Sequence, residues 1–107
     1  MTLQLLRPLL LPEVSSVLWN AAAFPTASIT MEGNWTLNAS PIYAGATYVL
    51  FVTQDATGGW TLSWSSVFLW IGSASPPSLS TAPGATDIMS FTSDGVHLLG
   101  VPQIGFA

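Results

Sequence analysis

Half of the 107 residues are hydrophobic and 11% are aromatic, whereas only 6% are charged and the net charge at pH 7 is −4. This length suits a single domain, and the charged fraction is far below the roughly 25% of ordinary globular chains. One basic residue, Arg7, cannot neutralise the phosphates of a nucleic acid, and without cysteine there is neither a disulfide framework nor a thiolate metal site. No apolar run approaches the roughly 18 residues that span a bilayer, which argues against a membrane partner.

Residues 1–26 are predicted to form an N-terminal arm. They are rich in leucine and contain three prolines, without a sustained hydrophobic period. Residues 2–11 are compatible with an extended arm, and residues 13–23 with a short helix that begins after Pro12. Because the leucines have no obvious place in a core already filled by strands, we expect the arm to lie on a neighbouring subunit.

From residue 27 onwards the hydrophobic period changes to two. Apolar residues alternate with polar ones between Ile29 and Leu37, which predicts a half-buried strand. Residues 47–53 are apolar on both sides and predict a central strand buried on two faces. The sequence DATGG at 55–59 predicts a chain reversal, because aspartate bonds to the backbone ahead of it and glycine accepts a positive φ.

Beyond this turn the pattern of short strands continues. Residues 60–64 and 67–71 predict two strands, and a proline-containing loop at 72–85 separates them from the last hairpin. In that hairpin, the sequence SDG at 93–95 predicts a tight turn. Six or seven short strands predict an all-β fold, an antiparallel β-sandwich or jelly-roll-like barrel over residues 27–107 with an extended N-terminal arm.

Few side chains are suited to catalysis. Asp87 and His97 could face each other across the last hairpin with Ser90 nearby, which are the residue types of a hydrolase triad, but a surface or cross-strand pair without a catalytic role is the favoured interpretation. No nucleophile-elbow motif accompanies them, and geometry rather than residue type defines a triad. The single histidine and the scattered carboxylates provide no zinc or calcium ligand set. We therefore predict no catalytic residue, metal, cofactor or small-molecule substrate, and keep a small hydrolase as an alternative.

The scarcity of charge predicts that other chains cover much of the surface. A soluble monomer normally carries a mixed charged surface, whereas an obligate interface resembles a domain core cut in two. Exposed tryptophans that stack on sugars are the alternative explanation for the five tryptophans. The predicted interface residues are in the arm and at four of the tryptophans: Leu5, Leu6, Leu9, Leu10, Leu11, Trp19, Trp60, Trp64 and Trp70.

Two stretches resemble a module of tailed-bacteriophage virion proteins, found in tail fibres and in head-fibre or decoration proteins. They are GATYVLFVTQDATGGWTLSW, residues 45–64, and APGATDIMSFTSDGVHLLGV, residues 82–101. The shared pattern is a strand ending in TQDATGG, a return strand opening on an aromatic or basic residue, a proline-rich loop, and then GAxD and SDG. The sequence of that loop, WIGSASPPSLS, departs from the glycine-richer loop of the family.

The resemblance implies a β-rich structural virion protein, usually trimeric, with no catalytic residues. Only about 40 residues precede the module, whereas in tail fibres it is a small part of a long chain. On that basis we expect a capsid decoration (cement) protein on the capsid exterior, a homotrimer that binds across subunits of the major capsid protein. The alternative is a tail-fibre or receptor-binding component that contacts host glycans.

Overall fold

The computed structural model describes residues 2–4, 8–10, 16–71 and 76–106. This part of the chain contains ten strands and no α-helix, so the predicted all-β class is confirmed. The strands are β1 Thr2–Gln4, β2 Pro8–Leu10, β3 Ser16–Trp19, β4 Thr26–Met31, β5 Trp35–Ala39, β6 Thr47–Gln54, β7 Leu62–Trp64, β8 Phe68–Trp70, β9 Thr86–Ser93 and β10 Leu98–Phe106. Within these ranges there is no helix of the length and hydropathy needed to cross a bilayer.

The described strands form two sheets. The larger sheet has the order β2-β1-β4-β6-β9-β10-β8, and the smaller has the order β3-β5-β7. The hairpin predicted around SDG is confirmed, since β9 pairs antiparallel with β10. Pairing is not antiparallel throughout, however, because β4 pairs parallel with β6, β8 with β10, and both β3 and β7 with β5. The large sheet therefore contains both parallel and antiparallel pairs, and the small sheet contains parallel pairs alone among its described strands.

One core lies between the two sheets. Alternate residues of β6 and β9 point into it, and Leu50 and Met89 are completely buried. The Trp19 ring of β3 contacts the Tyr48 and Phe91 rings edge-on, with centroids 6.1 Å away in both cases, and so joins the small sheet to the large one. Each fully buried large apolar side chain contributes about 1.5–3 kcal/mol of transfer free energy.

The segment predicted as an arm differs from the prediction. Residues 16–19 form the strand β3 rather than part of a helix, and β3 belongs to the small sheet. The backbone of β1 pairs with β4 of the same chain, and that of β2 with β1. The arm therefore adds two strands to the edge of its own large sheet.

The strand that follows the DATGG turn, β7, does not pair with β6; it belongs to the small sheet and pairs parallel with β5. The two glycines of the turn meet a different partner, the loop that precedes β9. This contact organises the candidate site.

Candidate functional site

The turn after β6 is built around the carboxylate of Asp55. Its Oδ1 accepts hydrogen bonds from the backbone N–H groups of Thr57 and Gly58, at 2.9 and 3.1 Å, and from the indole Nε1–H of Trp60 at 2.9 Å. The Trp60 hydrogen bond is the main cause that lowers the pKa of Asp55 below its ordinary value, against a smaller opposing effect of burial. Asp55 thereby fixes both the turn and the tryptophan ring that follows it.

The two glycines of the turn dock on the loop before β9. Gly58 has a φ of +71°, and a Cβ placed there would lie 2.6 Å from the Thr81 carbonyl oxygen and 2.9 Å from the Pro83 nitrogen. Gly59 N–H donates to the same Thr81 carbonyl at 2.8 Å. Since L side chains disfavour this φ and no space exists for one at Gly58, glycine is required there. The two stretches that carry the phage resemblance are thus in direct contact.

Gln54 is the bridge between these two loops. Its side chain is 2% exposed, and its Nε2 donates to the carbonyl oxygens of Trp60, at 2.8 Å, and Ser80, at 3.0 Å. Its Oε1 accepts from the Trp60 backbone N–H at 3.2 Å. A buried amide that satisfies both of its ends in this way holds the backbone on either side of it in one position.

Asp87 fixes the second loop from the other side. This residue of β9 is 1% exposed, and it accepts hydrogen bonds from the backbone N–H of Ser80 at 2.6 Å, the Ser80 hydroxyl at 2.7 Å and the backbone N–H of Gly105 at 2.8 Å. It therefore connects the loop before β9 to the end of β10.

Asp87 and His97 do not face each other across the hairpin. The Asp87 side chain points into the interior, whereas His97 lies by the turn at the opposite end of the hairpin, where its backbone N–H donates to Asp94 Oδ1 at 2.6 Å. Ser90 is exposed on the other face of β9 from Asp87. The three residues are not brought together as a triad. Among the described residues, no group of three His, Asp or Glu side chains is placed to hold a metal ion.

Between the two fixed loops lies a groove of about 280 Å³, which we call the Trp60 groove. Trp60 is partly buried, and the neighbouring Thr61 is held by Asn34, whose Oδ1 accepts from the Thr61 backbone N–H at 2.8 Å and from its hydroxyl at 3.1 Å. Leucine side chains and an aromatic ring share the lining with three hydroxyl groups. The lining residues are Trp60, Thr61, Leu62, Pro77, Ser78, Leu79 and Thr81.

The tryptophans predicted as interface residues have different environments. Trp19 is completely buried in the core of its own chain, so its predicted place at an interface is wrong. Trp60, Trp64 and Trp70 are partly buried against that core. Trp64 and Trp70 contact each other edge-on with centroids 5.0 Å apart, and their indole Nε1 atoms are buried without a hydrogen-bond partner in the described part of the chain.

Of the five arm leucines predicted at the interface, two belong to the described residues. Leu9 and Leu10 lie in β2, whose backbone pairs with β1. Leu5, Leu6 and Leu11 lie outside the described residues.

A different group of residues, none of which was predicted at an interface, forms an exposed apolar face. Leu69 of β8 and Leu99 of β10 are paired in register, and each is 43% exposed. Ile71 and Val101 lie beside them at 70% and 49% exposure. These four side chains, which we call the β8–β10 face, line a shared concavity of about 270 Å³. The two-residue period of β10 could have indicated this face in the sequence, since Leu99 and Val101 alternate with Leu98 and Gly100, which are buried.

Gln54, Ser80 and Asn34 were also missed as site residues. The two-residue period of β6 could have identified Gln54, because this residue follows Tyr48, Leu50 and Val52 in the row of side chains that points inward. A polar residue in such a row has to find buried hydrogen-bond partners.

Residues 19–98 match the model of a family described as "Putative phage tail fibre C-terminal domain". Searches of curated proteins and of solved structures return no match. The matched segment runs from the last residue of β3 to the first of β10 and contains the Trp60 groove with both of its loops.

Proposed function

The chain belongs to the phage tail fibre C-terminal domain family and is a structural protein of a bacteriophage virion, and we propose that it serves there as a non-catalytic tail-fibre component that contacts glycans on the host cell. The observation that carries this proposal is the family match, which spans about three quarters of the chain. The structure supports it with an ordered pair of loops that present an aromatic groove.

The family match does not support the capsid-decoration interpretation in preference to this one. That interpretation made the major capsid protein the partner and the capsid exterior the location, whereas the description of the matching family concerns the tail. The tail-fibre alternative fits the match better.

The location is tested directly on virions. Gold-labelled antibodies against the purified protein are expected to mark the tail, and the copy number per particle is expected to be small compared with that of the major capsid protein. The host contact is tested by adding the purified protein to cells of the propagation host, where we expect it to slow phage adsorption. Labelling distributed over the head would contradict the proposal.

Self-association is the second part of the proposal, and the β8–β10 face supports it. None of its four side chains carries a charge, and the whole chain has only six charged Asp, Glu, Lys and Arg residues. An uncharged apolar face matches a second copy of itself without charge repulsion. We propose a homotrimer in which this face is covered by a neighbouring subunit.

A matched pair of leucine variants tests the interface. Leu99→Asp places a carboxylate in the β8–β10 face, whereas Leu18→Asp places it on β3 at a leucine that is 57% exposed. Because burying an unpaired charge is strongly unfavourable, sedimentation equilibrium should show a monomer for Leu99→Asp and a trimer for both the unmodified protein and Leu18→Asp. A monomeric unmodified protein, or identical behaviour of the two variants, would refute this interface.

A further inference from the structure

We propose that the Trp60 groove binds an uncharged sugar residue of a surface glycan, an inference that rests on the proposed contact between the tail fibre and host glycans. It assigns to that contact one location and one chemical class of ligand.

Both walls of the groove are held in place by side chains that lie outside its lining. On one side Gln54 bonds the backbone N–H and C=O of Trp60, and Asp55 bonds its indole N–H. On the other side Asp87 and Gln54 both bond Ser80, which lies between the lining residues Leu79 and Thr81. A site held in its bound geometry before the ligand arrives loses little conformational entropy on binding.

The lining has the two kinds of group that a sugar ring requires. Trp60 offers an aromatic surface for the apolar C–H face of a pyranose, and its N–H is already bonded to Asp55, which leaves ring stacking as its remaining interaction. Thr61, Ser78 and Thr81 are exposed and place hydroxyl groups at the rim, of which that of Thr61 donates to Asn34 Oδ1 and retains its oxygen as an acceptor. A volume of about 280 Å³ is close to the lower limit of roughly 300 Å³ for small-molecule sites, which suits one or two sugar rings.

The charge of the groove determines which class of sugar it favours. Among the described residues the groove lining contains no basic side chain, and the chain as a whole has one basic residue and a net charge of −4. The charged group that is hydrogen-bonded to the groove lining is the carboxylate of Asp55, at the N–H edge of the Trp60 ring. An acidic sugar would meet repulsion and no counter-ion, so the groove favours hexoses and N-acetylhexosamines over uronic or sialic acids.

The test is an NMR titration of the ¹⁵N-labelled full chain with single sugars. The uncharged probes are the methyl glycosides of glucose, galactose, mannose and N-acetylglucosamine, and the acidic probes are methyl glucuronide and methyl sialoside. The Trp60 indole signal is identified by its loss in Trp60→Phe. We expect at least one uncharged probe to shift this signal at millimolar concentration, and the acidic probes to leave it unchanged.

Matched arginine variants locate the site. Ser78→Arg fills the rim of the Trp60 groove from an exposed position and should weaken binding of the uncharged probe at least tenfold. Ser66→Arg makes the same change at the exposed rim of the neighbouring groove, which Trp64 and Trp70 line, and should bind as the unmodified protein does. Trp60→Ala should also weaken binding about tenfold through the loss of stacking. Because Ser78 is on the surface, its variant remains informative if Trp60→Ala fails to fold.

The outcomes separate this inference from the proposed function. It is overturned if no uncharged probe shifts the Trp60 signal, if the acidic probes shift it equally, or if Ser66→Arg rather than Ser78→Arg abolishes binding. In each of those cases the adsorption experiment still tests separately whether the protein contacts the host cell. If the unmodified protein slows adsorption and Ser78→Arg slows it equally, the tail-fibre proposal stands and the groove is not the contact site.

Discussion

Replacement of Asp87 by alanine is expected to lower the free energy of unfolding by about 2–4 kcal/mol. The carboxyl group is 1% exposed and accepts two hydrogen bonds from Ser80, at 2.6 and 2.7 Å, and one from Gly105 at 2.8 Å. Leaving a buried donor without its partner costs about 1–3 kcal/mol. The two Ser80 donors are partly buried and incur this cost, whereas Gly105 is exposed and its N–H can bond to water. The desolvation of the carboxyl group, which alanine avoids, reduces the total.

Urea unfolding followed by tryptophan fluorescence measures this loss. A loss of that size is a large fraction of the roughly 5–15 kcal/mol by which domains are stable. It corresponds to a Tm lower by roughly 8–32 °C at about 4–8 °C for each kcal/mol in a domain of this size. Asp87→Asn is expected to lose less, because the amide keeps one acceptor oxygen while its NH₂ faces one of the N–H donors. Amide hydrogen exchange at Gly59, which bonds to Thr81, should also accelerate in Asp87→Ala.

The exposed Asp94 provides the control for loss of a turn carboxylate. It accepts from the backbone N–H groups of Val96 and His97, where water is available as a replacement, so Asp94→Ala should be milder than Asp87→Ala. A change in stability below about 1 kcal/mol for Asp87→Ala would refute the reasoning, since the Ser80 donors would then have found other acceptors.

Three further outcomes follow from the same structure. Gly58→Ala should destabilise the protein by about 1–3 kcal/mol more than Gly59→Ala in urea unfolding, because both positions have a positive φ but only Gly58 would bring a Cβ within 3 Å of the facing backbone. Gly100→Ala should lower the Tm, since its Cβ would lie 2.5 Å from an atom of the Trp70 ring. An unchanged Tm would show that this ring moves aside freely. The lowered pKa of Asp55 means that its contribution to stability is complete above its ordinary pKa of 3.8 and is lost as the pH falls through the lower folded-state value. In Tm measurements from pH 6 to pH 2, Trp60→Phe should therefore show a shallower fall at the acid end than the unmodified protein; parallel curves would contradict this.

The regular parts of the large sheet were predictable from the sequence. Residues 47–53 are apolar on both sides, which places them in a strand, and β6 runs Thr47–Gln54. The sequence SDG marks the turn between β9 and β10, where Gly95 has a φ of +93°. Both signals are local, because they depend on the residue types along one strand or on the conformation of a single residue.

Strand partners were not predictable in the same way. Side-chain alternation is identical in parallel and antiparallel strands, so the pattern at 60–64 does not reveal that β7 joins β5 in the other sheet. Asp87 and His97 lie in one hairpin, but β9 alternation turns Asp87 inward and the turn places His97 at the far end. Trp19 was placed in an arm because residues 1–26 lack a period, yet four residues suffice for a strand that fills the core.

The separation between residues that build the site and residues that line it has a functional consequence. Gln54, Asp55, Gly58 and Asp87 hold the two loops through partly buried hydrogen bonds or close backbone contact, so a change at any of them disturbs the backbone. Exposed groove residues such as Ser78 have no such constraint, and their side chains can change without altering the loops that present them. For the glycan site proposed above, a scaffold of this kind would allow the groove to accept a different sugar while the fold stays the same. Exchange of Ser78 for other small polar residues should therefore alter probe preference in the NMR titration at an unchanged Tm, and a large drop in Tm would show that the lining is itself part of the scaffold.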